Sequence, residues 1–214
     1  MFYYFGSKAR IAKNYPAPIY PLLIEPFAGS AGYACRYPDR QVILYEKDPR
    51  VAALWETLRK LTPDEIKAIP TPVVGTKTSD LLTMLRGASE HSLTDQYMTV
   101  TARMVSRWPH LLQRIASLSP QIAHWQIFNE DYQKAPDVEA TWFVDPPYQK
   151  LTRGYAYRNL DYGILAQWCR SRRGQVIVCE QAGADWLPFK PLKNIITTNA
   201  SRKTEVIWEK NTDE

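Results

Sequence analysis

The chain has 214 residues, 45% of them hydrophobic and 23% charged, so it can bury one core without disulfide or metal staples. Its formal charge of +5 suits an anionic partner, and no apolar run of about 18 residues marks a membrane span. The three cysteines, Cys35, Cys169 and Cys179, are dispersed, which argues against a disulfide frame or a zinc site and for a reduced, cytoplasmic setting.

His91, His110 and His124 show no ligand spacing, so no metal is expected. No secretory segment opens the chain. Leu22-Leu23-Ile24 reads as a first strand that stops at Glu25-Pro26, and Phe27 to Gly32 forms a glycine-bearing loop before a short helix over Tyr33–Tyr37. Gln41–Tyr45 is a second strand, closed by Glu46-Lys47-Asp48. Pro49 opens a helix to about Leu61, with Val51, Leu54, Leu58 and Leu61 at helical spacing. Thr62 to Glu65 is a capping-box signature. Helices are expected over Ser79–Arg86, over Leu93–Arg107 and from Pro109 to about Ser117. Residues 62–120 carry no strand signal and read as a helical insert within a catalytic domain made of 1–61 and 121–214.

Strands resume at Trp125–Phe128 and Trp142–Val144, then Gln149–Leu160 is a polar loop. Asp161–Arg172 reads as a helix and Gln175–Cys179 as an apolar strand. Ile195–Thr197 and Glu205–Trp208 form a closing hairpin. Alternating strands and helices predict an α/β domain with a mainly parallel sheet and an antiparallel C-terminal addition.

Three positions carry chemistry. Asp145-Pro146-Pro147-Tyr148 follows an apolar strand. The prolines stiffen the backbone at a strand's carboxyl end, where open α/β sheets bind ligands. Asp145 and the Pro146 carbonyl suit the two N–H bonds of an exocyclic amine, and Tyr148 suits stacking on its ring. A proline-rich turn after an edge strand is the alternative. The loop Pro26, Phe27, Ala28, Gly29, Ser30 lacks both the dinucleotide glycine pattern and a Walker lysine, which argues against a triphosphate. Glu46 at the second strand's end is placed to receive ribose hydroxyls, with Asp48 as competitor or helix cap. Asp131 after the third strand faces an adenine amino group or caps a turn.

Together these pieces resemble the Dam-like (D12) adenine-N6 DNA methyltransferases. Tyr4-Phe5-Gly6-Ser7-Lys8 is similar to the family's N-terminal motif, EPFAGSAG to its S-adenosylmethionine loop, and DPPY to its catalytic tetrapeptide. The resemblance implies a Rossmann-like methyltransferase fold. It also implies S-adenosylmethionine bound by Tyr4, Lys8, Pro26–Ser30, Glu46, Asp131 and Asp145, and double-stranded DNA with a flipped-out adenine at Asp145–Tyr148. It places the enzyme in the cytoplasm of a bacterial or phage-infected cell. Glu46 stands where the family usually has Asp, and the insert is short, which points to a short or degenerate target site. Guanine-N2 RNA methyltransferases share DPPY and the loop, so an RNA base is the alternative substrate. A methyltransferase fold retained only for binding is a third reading. Lys150, Arg153, Tyr155, Tyr157 and Arg158 in the loop after DPPY, with Arg103 and Arg107 in the insert, are candidates for phosphate and base contacts. Asp145 is not expected to act as a strong base, because an ordinary carboxylate is too weak for that.

Overall fold

The computed structural model describes residues 2, 6–76, 100–150, 157, 159–196 and 202–211. Tyr4, Arg153, Tyr155, Arg158, the expected helix Ser79–Arg86 and the first residues of the expected helix Leu93–Arg107 lie outside the described residues.

Strands β1 (Leu22–Glu25), β2 (Gln41–Tyr45), β3 (Gln126–Phe128), β4 (Ala140–Val144), β5 (Gly174–Gln181), β6 (Lys190–Ile196) and β7 (Arg202–Lys210) form one sheet in the order β3-β2-β1-β4-β5-β7-β6. β1 pairs in parallel with β2 and β4, β2 with β3, and β4 with β5. β7 runs antiparallel to both β5 and β6. The architecture is α/β with a mixed, mostly parallel sheet. The chain winds outward from β1 to β3, then returns to place β4 on the other side of β1. Such a reversal opens a crevice at the strands' carboxyl ends.

The central strands β1, β4 and β5 are buried on both faces, as parallel sheets require. Side chains alternate across the sheet: Leu23, Phe143 and Ile177 join one apolar cluster, while their neighbours Ile24, Trp142 and Val178 join the other. Helix α1 (Pro49–Leu58) and helix α2 (Pro63–Lys67) contribute Trp55 and Ile66 to the first cluster. Asp48 caps α1, and the Thr62–Glu65 capping box opens α2.

Two expected helices prove to be one. α3 (Ala102–Ile122) runs through both Pro109 and Pro120. Pro109 removes one intrahelical donor, at a cost of about 3 kcal/mol. The apolar stripe does not break there, however: Trp108, Leu111, Leu112, Ile115, Ala116 and Ile122 are all buried. Burying that stripe outweighs the missing bond, since each large apolar side chain contributes about 1.5–3 kcal/mol. The described part of the insert thus shares the core of the sheet domain. The expected helix over Tyr33–Tyr37 is a 3-10 turn, Ala34–Arg36. α4 (Tyr162–Ser171), capped by Asp161, covers the other face.

Candidate functional site

A cleft of about 400 Å³ lies at the carboxyl ends of β1, β2 and β4, within the size range of small-molecule sites. Its wall comes from five places: Gly6–Lys8, Glu25–Ser30 with Gly32, Glu46–Asp48, Asp131-Tyr132, and the segment around Asp145, Pro147, Tyr157 and Leu160.

The glycine loop is shaped by contacts on every side. Gly29 has φ 47° and Ala31 φ 44°, a left-handed region that glycine enters without steric cost and alanine does not. The Gly29 N–H donates to Glu46 Oε2 at 2.8 Å, and its carbonyl accepts from Trp55 Nε1 at 2.8 Å. Gly32 permits a different approach. A Cβ there would lie 2.7 Å from the Ala9 nitrogen and 3.1 Å from backbone atoms of Lys8. The N-terminal turn therefore lies directly on the loop, with Ser30 Oγ bonded to Ser7 Oγ at 2.7 Å.

That turn delivers Lys8, a 4% exposed lysine. Its Nζ sits 2.6 Å from Asp145 Oδ1 and donates to the Gly6 carbonyl at 2.9 Å. It also lies 4.6 Å from the centroid of the Tyr148 ring. Burial pushes the Asp145 carboxyl up to about 6, against the opposing pull of Lys8. Asp145 therefore holds a proton more tightly than an ordinary aspartate.

The rest of the tetrapeptide is held from behind. The Pro147 carbonyl accepts from Tyr162 Oη at 2.7 Å, and the Gln149 N–H donates to Glu180 Oε2 at 3.1 Å. The Tyr148 hydroxyl donates to Glu205. Pro146 and Tyr148 are buried and do not line the cleft.

Glu46 reaches the cleft, with Oε2 on the Gly29 N–H and Oε1 on the Asp48 N–H, both at 2.8 Å. Burial pushes its carboxyl up to about 7. Asp48 caps α1 and pairs with Arg50 at 3.0 Å, and it too lines the cleft. Asp131 both caps a 3-10 turn and pairs with Lys47 at 2.8 Å, yet still lines the cleft. Phe27 stacks on Tyr132, centroids 5.0 Å apart. Tyr157 lines the cleft, near Lys47. Lys150 is exposed and lies over Gly183. Arg103 and Arg107 are exposed on α3, away from the cleft wall.

Four relevant residues were not singled out from sequence: Glu25, Tyr15, Glu180 and Glu205. Glu25 Oε1 accepts from the Ala34 N–H at 2.6 Å, and burial pushes its carboxyl well up. An acid closing an apolar strand just before the glycine loop was the available signal for Glu25. Glu180 and Glu205 sit inside apolar strands and had none.

Among the described residues no group of three or more metal-ligating side chains is found, and no helix is long and apolar enough to cross a membrane. Comparison of the chain with models of known protein families and with curated proteins found no match.

Proposed function

We propose that the protein is an S-adenosylmethionine-dependent DNA adenine-N6 methyltransferase with a Rossmann-like methyltransferase fold. One observation carries the reading: Lys8, the glycine loop, Glu46 and Asp145 are far apart in the chain yet meet in one cleft, with Lys8 and Asp145 2.6 Å apart. The reversal of strand order at that cleft supports it too, since doubly wound sheets bind nucleotide-like ligands there.

The lining fits the cofactor. Glu25, Glu46, Asp131 and Asp145 surround the space, and acids suit a ligand with a sulfonium, an ammonium and ribose hydroxyls. Glu46 uses one site on each oxygen for backbone N–H groups, and a carboxylate has about four acceptor sites, so it retains capacity for ribose. The Phe27–Tyr132 pair offers an aromatic wall near Asp131. When bound, the cofactor supplies a methyl group already activated as a leaving sulfonium's substituent, the carbon–sulfur electron pair remaining on sulfur.

The chain's own residues then act on the amine. Asp145, which lines the cleft, accepts an N–H bond as positive charge develops on nitrogen, an electrostatic effect; the Pro146 carbonyl, outside the cleft wall, takes the second N–H once the segment opens with Tyr148. The target base has to leave its duplex to reach them. Stacking on Tyr148 requires the ring face covered by Lys8 to open. Exposed Lys150, Arg103 and Arg107 are assigned to phosphates.

The test is incubation with plasmid DNA and isotopically labelled S-adenosylmethionine, with RNA in parallel, followed by single-molecule mapping of N6-methyladenine. Label in DNA adenine is expected. Label confined to RNA, or to another base, overturns the reading.

A further inference from the structure

Behind the cleft lies a carboxylate that none of the motifs contains. Glu205 is on β7, only 5% exposed. One oxygen, Oε1, accepts from the Tyr15 hydroxyl at 2.6 Å and from the Tyr148 hydroxyl. The same oxygen is 3.9 Å from Lys8 Nζ, which is 2.6 Å from Asp145. Tyr15 in turn packs edge-on against Phe143, a residue of the cleft wall. A strand that needed only packing would carry an apolar residue here, because a buried carboxylate is costly unless paired and is often replaceable by a hydrophobic side chain without loss of stability. Instead two phenols and an ammonium converge on one atom, and two of those three groups, Tyr148 and Lys8, also touch or belong to the Asp145 site.

We propose that Glu205 is a positioning residue of this cleft: it holds the Tyr148 hydroxyl and shares the Lys8 ammonium with Asp145, so that the C-terminal hairpin orients the Asp145–Tyr148 tetrapeptide for its amine. The role in turnover rests on the methyltransferase reading; the contact itself does not. The amine nitrogen that gains the methyl carbon must shed one N–H proton, and the Asp145 carboxylate takes it before passing it to solvent. How readily it does so depends on the charges around it. Facing Asp145 are Lys8 from the N-terminal turn, Glu25 from β1, Tyr148 from its own segment, Tyr15, Cys179 and Glu180 from β5, and Glu205 from β7. Lys8 favours ionised Asp145 and Glu205 opposes it. Burial is the main cause that raises the Asp145 carboxyl and Glu205 adds to it, so removing the Glu205 charge moves the Asp145 titration to lower pH.

The experiment has two arms. In the first, the Asp145 carboxyl is titrated by carbon-13 NMR in the ligand-free protein, with D145N for assignment. E205Q keeps size and an acceptor oxygen but removes the charge. It is expected to lower the Asp145 midpoint by about one pH unit. Tyr15→Phe keeps the ring on Phe143 but takes a donor from Glu205; the charge left on Glu205 is then less compensated and draws more on Lys8, so the Asp145 midpoint shifts the opposite way, to higher pH. It carries the test if E205Q does not fold. In the second arm, methyl transfer to DNA is followed against pH. E205Q is expected to lower turnover about tenfold or more, move the acid limb to lower pH, and leave S-adenosylmethionine affinity unchanged.

A wild-type Asp145 midpoint in both variants overturns the inference. A shifted midpoint with unchanged turnover overturns the positioning role. No transfer to nucleic acid by the unaltered protein overturns the proposed function instead, and the titration arm still decides whether Glu205 governs Asp145.

Discussion

The cleft and the long helix α3 carry opposite charge, and the chain's net charge describes neither. Around the cleft the acids Glu25, Glu46, Asp131 and Asp145 meet the cations Lys8 and Lys47. Glu25 and Glu46 are buried and Asp145 nearly so, each held by backbone N–H groups or by Lys8. α3 contains no Asp or Glu at all and exposes Arg103, Arg107 and Arg114. A net charge of +5 thus conceals an acidic pocket inside a basic exterior. On the proposed function, the separation serves two different ligands, a small cationic one within and an extended anionic one without. Each can be disturbed without the other.

The largest effect is expected from the cleft. Asp145→Asn removes the charged acceptor of the amine but keeps the side chain's size. Methyl transfer should fall by about a hundredfold to a thousandfold or more, as for loss of a preorganised electrostatic partner. Incorporation of labelled methyl groups measures this. Turnover near that of the unaltered protein sinks the mechanism, and an unchanged dissociation constant for DNA is expected alongside, because the acid does not belong to the basic exterior.

Glu46→Gln tests the same side of the comparison through the cofactor. The carboxylate accepts two backbone N–H bonds, and an amide in its place must turn an NH₂ toward one of them. Loss of a charged hydrogen-bond set costs about 1.5–3 kcal/mol, roughly a ten- to hundredfold rise in the dissociation constant for S-adenosylmethionine. Calorimetry reads it. Unchanged affinity would leave Glu46 as a brace of the Gly29 turn and nothing more.

Much of this division was legible in the sequence. The glycine loop, Glu46 and Asp145 were recognisable because backbone chemistry marks them: a glycine run between strand and helix, an acid at a strand end, two prolines in a row. Lys8 was found only through the resemblance of its surrounding motif. What was hidden depends on distant pairing. Glu205 follows Thr204 and precedes Val206 in a strand-like run, and no local pattern says that Tyr15, 190 positions away, will bond to it. Similarly, Pro109 reads locally as a helix start. Only the packing of Trp108 and Leu112 against the core lets the helix continue through it.

Gly32→Ala sharpens the link between the two ends of the chain. The added methyl meets the backbone of Lys8 and Ala9, which cannot swing aside as a side chain can. Overpacking of this kind costs about 1–3 kcal/mol. The melting temperature should fall and S-adenosylmethionine should bind more weakly, because the turn that carries Lys8 is displaced. An unaltered melting temperature would mean that the turn does not rest on the loop in solution.

A fourth expectation concerns protons. Burial raises Glu46 to about 7 and Asp145 to about 6, from ordinary values of 4.5 and 3.8. Both groups bind protons more tightly folded than unfolded, so the stability they contribute is fully present below the ordinary values and is lost as pH rises through about 6–7. A cationic ligand reverses the preference and favours the ionised forms. Binding of S-adenosylmethionine at a pH of about 6.5 should therefore release protons, seen as a binding enthalpy that depends on the buffer's ionisation enthalpy. A buffer-independent enthalpy would show that the ligand's charge does not reach these carboxylates.

The smallest effect belongs to the exterior. Arg103 stands in the first turn of α3, where the helix dipole disfavours a cation, and Arg107 follows one turn later with no acid on the helix to compensate it. Such a placement makes sense if a polyanion lies alongside. Contacts of this type position a duplex and carry no base information. Replacing both by glutamine should leave the fold intact and the methylated sequences unchanged. It should weaken DNA binding at physiological salt and flatten the slope of log affinity against log salt by about one for each phosphate that is no longer neutralised. Titrations of labelled duplex at several salt concentrations give that slope. If it does not move, α3 is not the surface that meets the backbone. If the methylated sequences change as well, the helix reads bases, and the division between a cleft that selects chemistry and an exterior that supplies only affinity is wrong.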